Sequence, residues 1–231
     1  PEHGARVVAS TSWTAAYALA AGAGSVYVLA PYEMQHPPEY ELRASDMVVL
    51  ADADLVIFAG YERMAGKIRD ALGEDAPELL QISTDYSRKT IRDSVLSIAG
   101  VLETVNHAER QLIEINSFYA EWKKELADKG FAGAKVVTHA FLRPVAGELG
   151  IEVIGTYGPA PMEAKQIAEL AELPADLIVD NWHNDVGRPL LLSVEDIPSV
   201  QLINFPGRSG SRSLLDVLRL NRVLLNEIMT R

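Results

Sequence analysis

Three of the five histidines, His36, His139 and His183, follow short apolar runs rich in β-branched residues. Each stands where a strand would hand the chain over to a loop. Neutral imidazole is the commonest metal ligand near pH 7, so the three together point to metal chemistry. Asp180, directly after Asp176–Val179, could add a carboxylate ligand or could cap a helix. A single histidine at a strand end is more often a hydrogen-bonding loop residue. The shared location of the three is what gives them weight. His3, near the start, and His107, among polar neighbours on a helix, read as solvent-facing.

A second candidate is the Gly-rich stretch Asn204-Phe205-Pro206-Gly207-Arg208-Ser209-Gly210-Ser211-Arg212, which leads into a helix whose N-terminus could hold an anion. A turn followed by a capped helix explains it as well and is the more ordinary reading. It lacks the G-x-x-x-x-G-K-[ST] spacing, and no G-x-G-x-x-G follows the first strand. The sequence also has no G-x-S-x-G elbow and no H-E-x-x-H pair. With 0 cysteines, disulfides, thiolate metal sites and cysteine nucleophiles are excluded together.

The elements that must position these residues are strands alternating with helices. Arg6–Ser10, Ser25–Ala30, Leu55–Phe58 and Leu79–Ile82 read as strands, with helices over Trp13–Ala21, Ser45–Leu50 and Tyr61–Leu72. After Gly130 the alternation resumes. Strands are expected at Lys135–Thr138, Glu152–Gly155, Asp176–Val179 and Val200–Ile203. Helices are expected at Phe141–Leu149, Met162–Leu173, Pro189–Val194 and Leu214–Met229. Such βα repeats imply parallel sheets, and in open α/β sheets ligands sit outside the carboxyl ends of strands.

Between the two βα series, Val95, Ile98, Leu102, Val105, Ala108, Leu112, Ile115, Tyr119, Trp122 and Leu126 recur in steps of three and four. They predict one long helix over 87–129, bending near Asn106-His107. The expected fold is therefore α/β: two lobes with parallel sheets flanked by helices, joined by one long connecting helix. The boundaries are 1–86, 87–129 and 130–231. The 231 residues, 48% apolar, are enough for such cores, and no apolar run is long enough to span a membrane. A formal charge of -11 argues against a nucleic-acid partner.

Three segments resemble the zinc/manganese-type (cluster A-I) solute-binding proteins of ABC importers. They are Val7-Val8-Ala9-Ser10, the loop ending Tyr40-Glu41-Leu42-Arg43-Ala44-Ser45-Asp46, and Ala51-Asp52-Ala53-Asp54-Leu55-Val56. Thr138-His139-Ala140-Phe141 is similar to the family's H-D-A-F segment, and the closing helix with Leu220-Asn221 also fits. The resemblance implies an extracytoplasmic binding protein that captures Zn²⁺ or Mn²⁺ as cargo between its lobes. It would then deliver the ion to a membrane permease, acting as a monomer and not as an enzyme.

The family's ligands carry over unevenly. The first falls on Pro38, two residues from His36, and the second, expected at Ser83-Thr84-Asp85-Tyr86, has no counterpart. The third matches His139. The fourth, an Asp, is replaced by Asn204. The implied metal site is His36, His139 and His183 with Asp180, while Asn204, Tyr40, Arg143 and Arg208 line or support it. The family's long His-rich acidic loop is missing. Alternatives are a changed cargo, such as a metal chelate or a small anion held by Arg143 and Arg208. A metal-dependent hydrolase with Asp180 or Glu163 as base, or an adhesin that has lost its cargo, completes the set.

Overall fold

A computed structural model describes residues 5–71, 77–194 and 196–229. His3 and Leu72, the latter the expected end of the third helix, lie outside the described residues. The chain divides into two compact units. Unit 1 comprises Pro1–Thr84, Lys89–Glu114 and Phe205–Val217; unit 2 comprises Asp85–Arg88, Ile115–Asn204 and Leu218–Arg231.

Unit 1 holds β1 (Val7–Ala9), α1 (Ser12–Ala21), β2 (Val26–Val28), α2 (Ala44–Ala51), β3 (Leu55–Phe58), α3 (Met64–Ala71) and β4 (Glu78–Gln81). The strands form a parallel sheet in the order β2-β1-β3-β4. Every residue of β1 and β3 is buried, whereas edge strands β2 and β4 are partly exposed. This is the pattern of a sheet covered on both faces. Helix α1 starts in a capping box in which the Thr11 side chain accepts from the Thr14 amide and Thr14 Oγ1 accepts from the Thr11 amide. It ends at Gly22, whose φ of 107° is open only to glycine at low cost.

Unit 2 repeats the plan with β5 (Lys135–His139), α6 (Arg143–Leu149), β6 (Glu152–Tyr157), α7 (Ala164–Ala171), β7 (Leu177–Asn181), α8 (Arg188–Ser193) and β8 (Ser199–Leu202). Its parallel sheet runs β6-β5-β7-β8. Central β7 is buried at all five positions, and Val137, Tyr157, Ile178 and Leu190 form the heart of its core. Pro144 sits in the first turn of α6, where its missing N–H costs nothing.

The apolar stripe lies on two helices, α4 (Arg88–Leu102) and α5 (Val105–Asp128), rather than on one. The break comes at Glu103-Thr104, ahead of the expected bend at Asn106-His107. Glu103 adopts φ 57°, a conformation costing about 1 kcal/mol for a residue with a Cβ. Thr104 starts α5 with its carbonyl accepting from His107 N and Ala108 N, and its hydroxyl donates to Ala21 O at 2.5 Å. A tertiary contact with the end of α1 therefore fixes the break. After unit 2 the chain returns to unit 1 as β9 (Pro206–Ser209), a strand not expected from the sequence. It continues into α9 (Leu214–Met229), which passes from unit 1 into unit 2. Among the described residues no helix is long and apolar enough to cross a membrane.

Candidate functional site

The carboxyl edge of the unit 2 sheet carries His139, Asp180, His183 and Asn204 of the predicted site residues. His139 ends β5 with its side chain fully buried. Its Nδ1 accepts from the backbone N–H of Phe141 at 3.1 Å, and its Nε2 lies 2.7 Å from Asn184 Oδ1. A nitrogen that accepts carries no proton, so Nε2 is the protonated one and donates to Asn184. Burial lowers the His139 pKa, opposed by the Asn184 hydrogen bond and the nearby Asp180 charge. The ring is therefore held neutral in the Nε2–H form. Gly158 lies against it, since a Cβ there would collide with Nε2.

Asp180, near the end of β7, is 1% exposed. Its Oδ1 accepts from Tyr157 Oη at 2.8 Å and its Oδ2 from Gln201 Nε2 at 3.2 Å. A Cβ at Gly187 would meet Asp180 Oδ1 at 2.5 Å and Tyr157 Oη at 2.6 Å, so this contact needs glycine. Burial raises the Tyr157 pKa, reinforced by the Asp180 charge and hydrogen bond, and keeps the phenol a donor. Both carboxylate oxygens of Asp180 thus already serve protein donors.

His183 follows through Asn181. Asn181 Oδ1 accepts from His183 N at 3.0 Å, and His183 Nδ1 accepts from Asn204 N at 3.4 Å. Asn181 also bridges to Asn184 through the backbone, with Asn184 N donating to Asn181 O at 3.1 Å. His139, Asn184, Asn181, His183 and Asn204 form one continuous network, all of it within unit 2. Asn204 is 1% exposed, and neither its Nδ2 nor its Oδ1 has a partner; Asn181 Nδ2 is unpartnered as well.

The remaining candidates belong to other elements. His36 is partly buried in unit 1, at the start of a short 3-10 turn over Pro37–Glu39. Tyr40 is 7% exposed and its hydroxyl donates to Asp46 Oδ2 at 2.8 Å, while Arg43 N donates to the same oxygen. The Tyr40–Asp46 spacing therefore closes the loop onto α2. Burial, then the bond to Asp46, raises the Tyr40 pKa. Arg143 is exposed at the start of α6 in unit 2, and Arg208 belongs to β9 of unit 1. Glu163 is exposed next to α7.

In the Gly-rich stretch, Asp216 Oδ2 accepts from Arg212 N and Ser213 N, and Ser213 Oγ accepts from Asp216 N. The start of α9 is thus satisfied by its own carboxylate. Among the described residues, no group of three or more His, Asp or Glu is arranged to hold a metal ion. The sequence reading missed Asn184, Asn181, Tyr157 and Gln201. Asn181 and Asn184 stand within the polar run after Val179 that flagged His183; Tyr157 and Gln201 gave no local signal.

No family model and no curated protein matches the sequence. Solved structures do. The laminin-binding protein Lmb of Streptococcus agalactiae, described as an adhesin with metal-transporting activity, matches with TM-score 0.75 and 16% identity over 98% of this chain and 100% of its own. The Pseudomonas aeruginosa solute-binding protein FpvC in complex with Ni²⁺ matches at 0.76 and 16%, covering 98% and 97%. A Mn-bound periplasmic metal-binding protein from Candidatus Liberibacter asiaticus matches at 0.71 and 14%, covering 97% and 99%. The fold that the sequence resemblance implies is thus the fold found: from end to end, this chain is built as the metal-binding solute-binding proteins are.

Proposed function

We propose that this chain is the extracytoplasmic solute-binding component of an ABC-type importer. It captures a cargo that carries a divalent transition metal and hands it to a membrane permease, working by binding and release and not by catalysis, as a monomer. Recognition falls to His139, His183, Asp180 and Asn204 of unit 2, with His36 as the candidate of unit 1. The observation that carries this reading is the buried network of imidazoles and carboxamides at the carboxyl edge of a parallel sheet. That is the edge where such sheets receive ligands. The fold, shared over nearly the whole chain with FpvC and Lmb, supports the same reading.

No observation favours hydrolysis. Asp180, the candidate base, is engaged through both oxygens, and Glu163 is remote in sequence and exposed. The test is thermal melting with Zn²⁺ and Mn²⁺, each supplied free and as a soluble chelate, beside elemental analysis. A ligand that binds only the folded state at 100 times its Kd adds about 2.7 kcal/mol. At least one form should raise Tm, with the shift lost in His139→Ala. No shift with any form would remove the proposal.

A further inference from the structure

The network of unit 2 is made of hydrogen-bond donors where a bare cation would need lone pairs. Metal-ligating histidines ordinarily donate their second N–H to an oxygen and keep a lone pair for the metal. In both imidazoles here a backbone amide donates to Nδ1, from Phe141 to His139 and from Asn204 to His183. The proton is thereby placed on Nε2, which in His139 donates to Asn184 Oδ1. The Asp180 carboxylate is taken up by Tyr157 and Gln201.

The backbone around Asn204 is pinned on every side. Asn221 is fully buried; its Oδ1 accepts from Ile203 N at 2.9 Å and its Nδ2 donates to Ile203 O at 2.8 Å. Tyr86 Oη donates to Asn204 O at 3.1 Å, and Asn204 N donates to His183 Nδ1. Tyr119 Oη in turn holds the Tyr86 carbonyl at 2.6 Å. Within this fixed frame the Asn204 carboxamide has no partner at either end, and Asn181 Nδ2 has none either. Buried polar groups are almost always paired, and each that is not calls for an explanation. The two carboxamides supply two N–H₂ groups against one free oxygen acceptor. Their complement is a ligand rich in acceptor oxygens.

We propose that Asn204 and Asn181 receive carboxylate oxygens of the cargo, so that the metal enters already chelated by an organic acid rather than as a bare ion. This rests on the importer reading and narrows it. The carboxylate could come from a metal–organic acid complex or from the free acid, and one experiment separates them. Wild-type protein, stripped with chelator and dialysed, is titrated calorimetrically with Zn²⁺ alone, citrate alone and zinc citrate. The titrations are repeated with Asn204→Ala, Asn181→Ala and Asn204→Asp. Melts of the unliganded variants show that each is folded.

Zinc citrate should bind wild type at one equivalent, with each alanine variant weakening it about tenfold or more, as loss of a hydrogen bond to a charged group would. Asn204→Asp, nearly isosteric but negatively charged, should weaken it at least as much. Binding of citrate alone with the same variant pattern supports the carboxylate subsite while removing the metal from the cargo. Stoichiometric binding of Zn²⁺ alone, unchanged in Asn204→Ala, overturns this inference and leaves the importer reading standing. Failure of all three probes to bind overturns the inference, and when free Mn²⁺ and its chelate also fail, the importer reading with it.

Discussion

At the carboxyl edge of β1 and β3, unit 1 buries Glu62, which accepts from Ser10 Oγ at 2.5 Å, Ala59 N at 2.9 Å and Gly60 N at 2.6 Å. At the matching edge of β5 and β7, unit 2 buries His139, Asn181, His183 and Asn204, and leaves the Asn204 carboxamide and Asn181 Nδ2 without partners. The two sheets have the same strand order, so topology alone does not set this difference. Unit 1 has closed its edge with a carboxylate that answers nearby donors. Unit 2 holds its backbone just as firmly and withholds partners from the Asn204 carboxamide and Asn181 Nδ2. A buried polar group left in that state costs about 1–3 kcal/mol. Those unsatisfied groups within a rigid frame are what the proposed cargo would complete.

The contrast can be broken most severely in unit 1. Glu62→Ala leaves the buried Ser10 Oγ and the less buried amides of Ala59 and Gly60 without their carboxylate acceptor and should cost about 3 kcal/mol in urea unfolding. A loss near zero would mean that this edge is not sealed at all. In unit 2, Gly187→Ala drives a methyl into Asp180 and Tyr157, both 1% exposed, and should cost about 2 kcal/mol. Wild-type stability there would show that the pair can yield.

Asn204→Leu should go the other way. Replacing an unpartnered carboxamide by an apolar group of similar volume should stabilise the ligand-free protein by about 1 kcal/mol. A loss as large as that of Glu62→Ala would make Asn204 a structural residue and erase the comparison.

The smallest effect concerns pH. Burial depresses the folded-state pKa of His139 below its ordinary value near 6.5, so between those two values the unfolded chain binds more protons than the folded one. Its contribution to stability is complete above pH 6.5 and declines as pH falls toward the folded-state value. His139→Gln should flatten that part of the urea-stability profile between pH 7.5 and 5. An unchanged slope would assign it to other groups.

Much of this was legible in the residues. The runs Leu55–Phe58 and Asp176–Val179 name buried central strands, and the steps of three and four name the stripe of α4 and α5. The break at Glu103-Thr104 was not legible, because neither residue is a helix breaker and the cause is the Thr104 bond to Ala21, 83 positions away. The expected strand Glu152–Gly155 in fact runs on through Thr156 and Tyr157, which is what brings the Tyr157 hydroxyl to Asp180. Histidine positions could be read from the sequence, but which nitrogen carries the proton could not. That depends on the amides of Phe141 and Asn204, hence on the turn geometry beyond β5 and β7. Likewise Tyr40 and Asp46 stand out as a spaced pair, yet only the fold shows that they bond to each other.

The return of the chain to unit 1 at Phe205 bears on the order in which the protein can be completed as it is made. Ser12 Oγ donates to Pro206 O at 2.7 Å, and the Trp13 ring meets Phe205 edge-on at 5.1 Å. Until the ribosome has released residues 205–217, the start of α1 lacks both companions, although every strand of the first sheet emerged long before. Domains ordinarily fold as units, N-terminal first, during synthesis. Here the first unit finishes only after the second unit's sheet has been translated, so a chain arrested just short of Phe205 lacks the Phe205 ring against Trp13 and the Pro206 carbonyl for Ser12, and awaits a late, non-local closure.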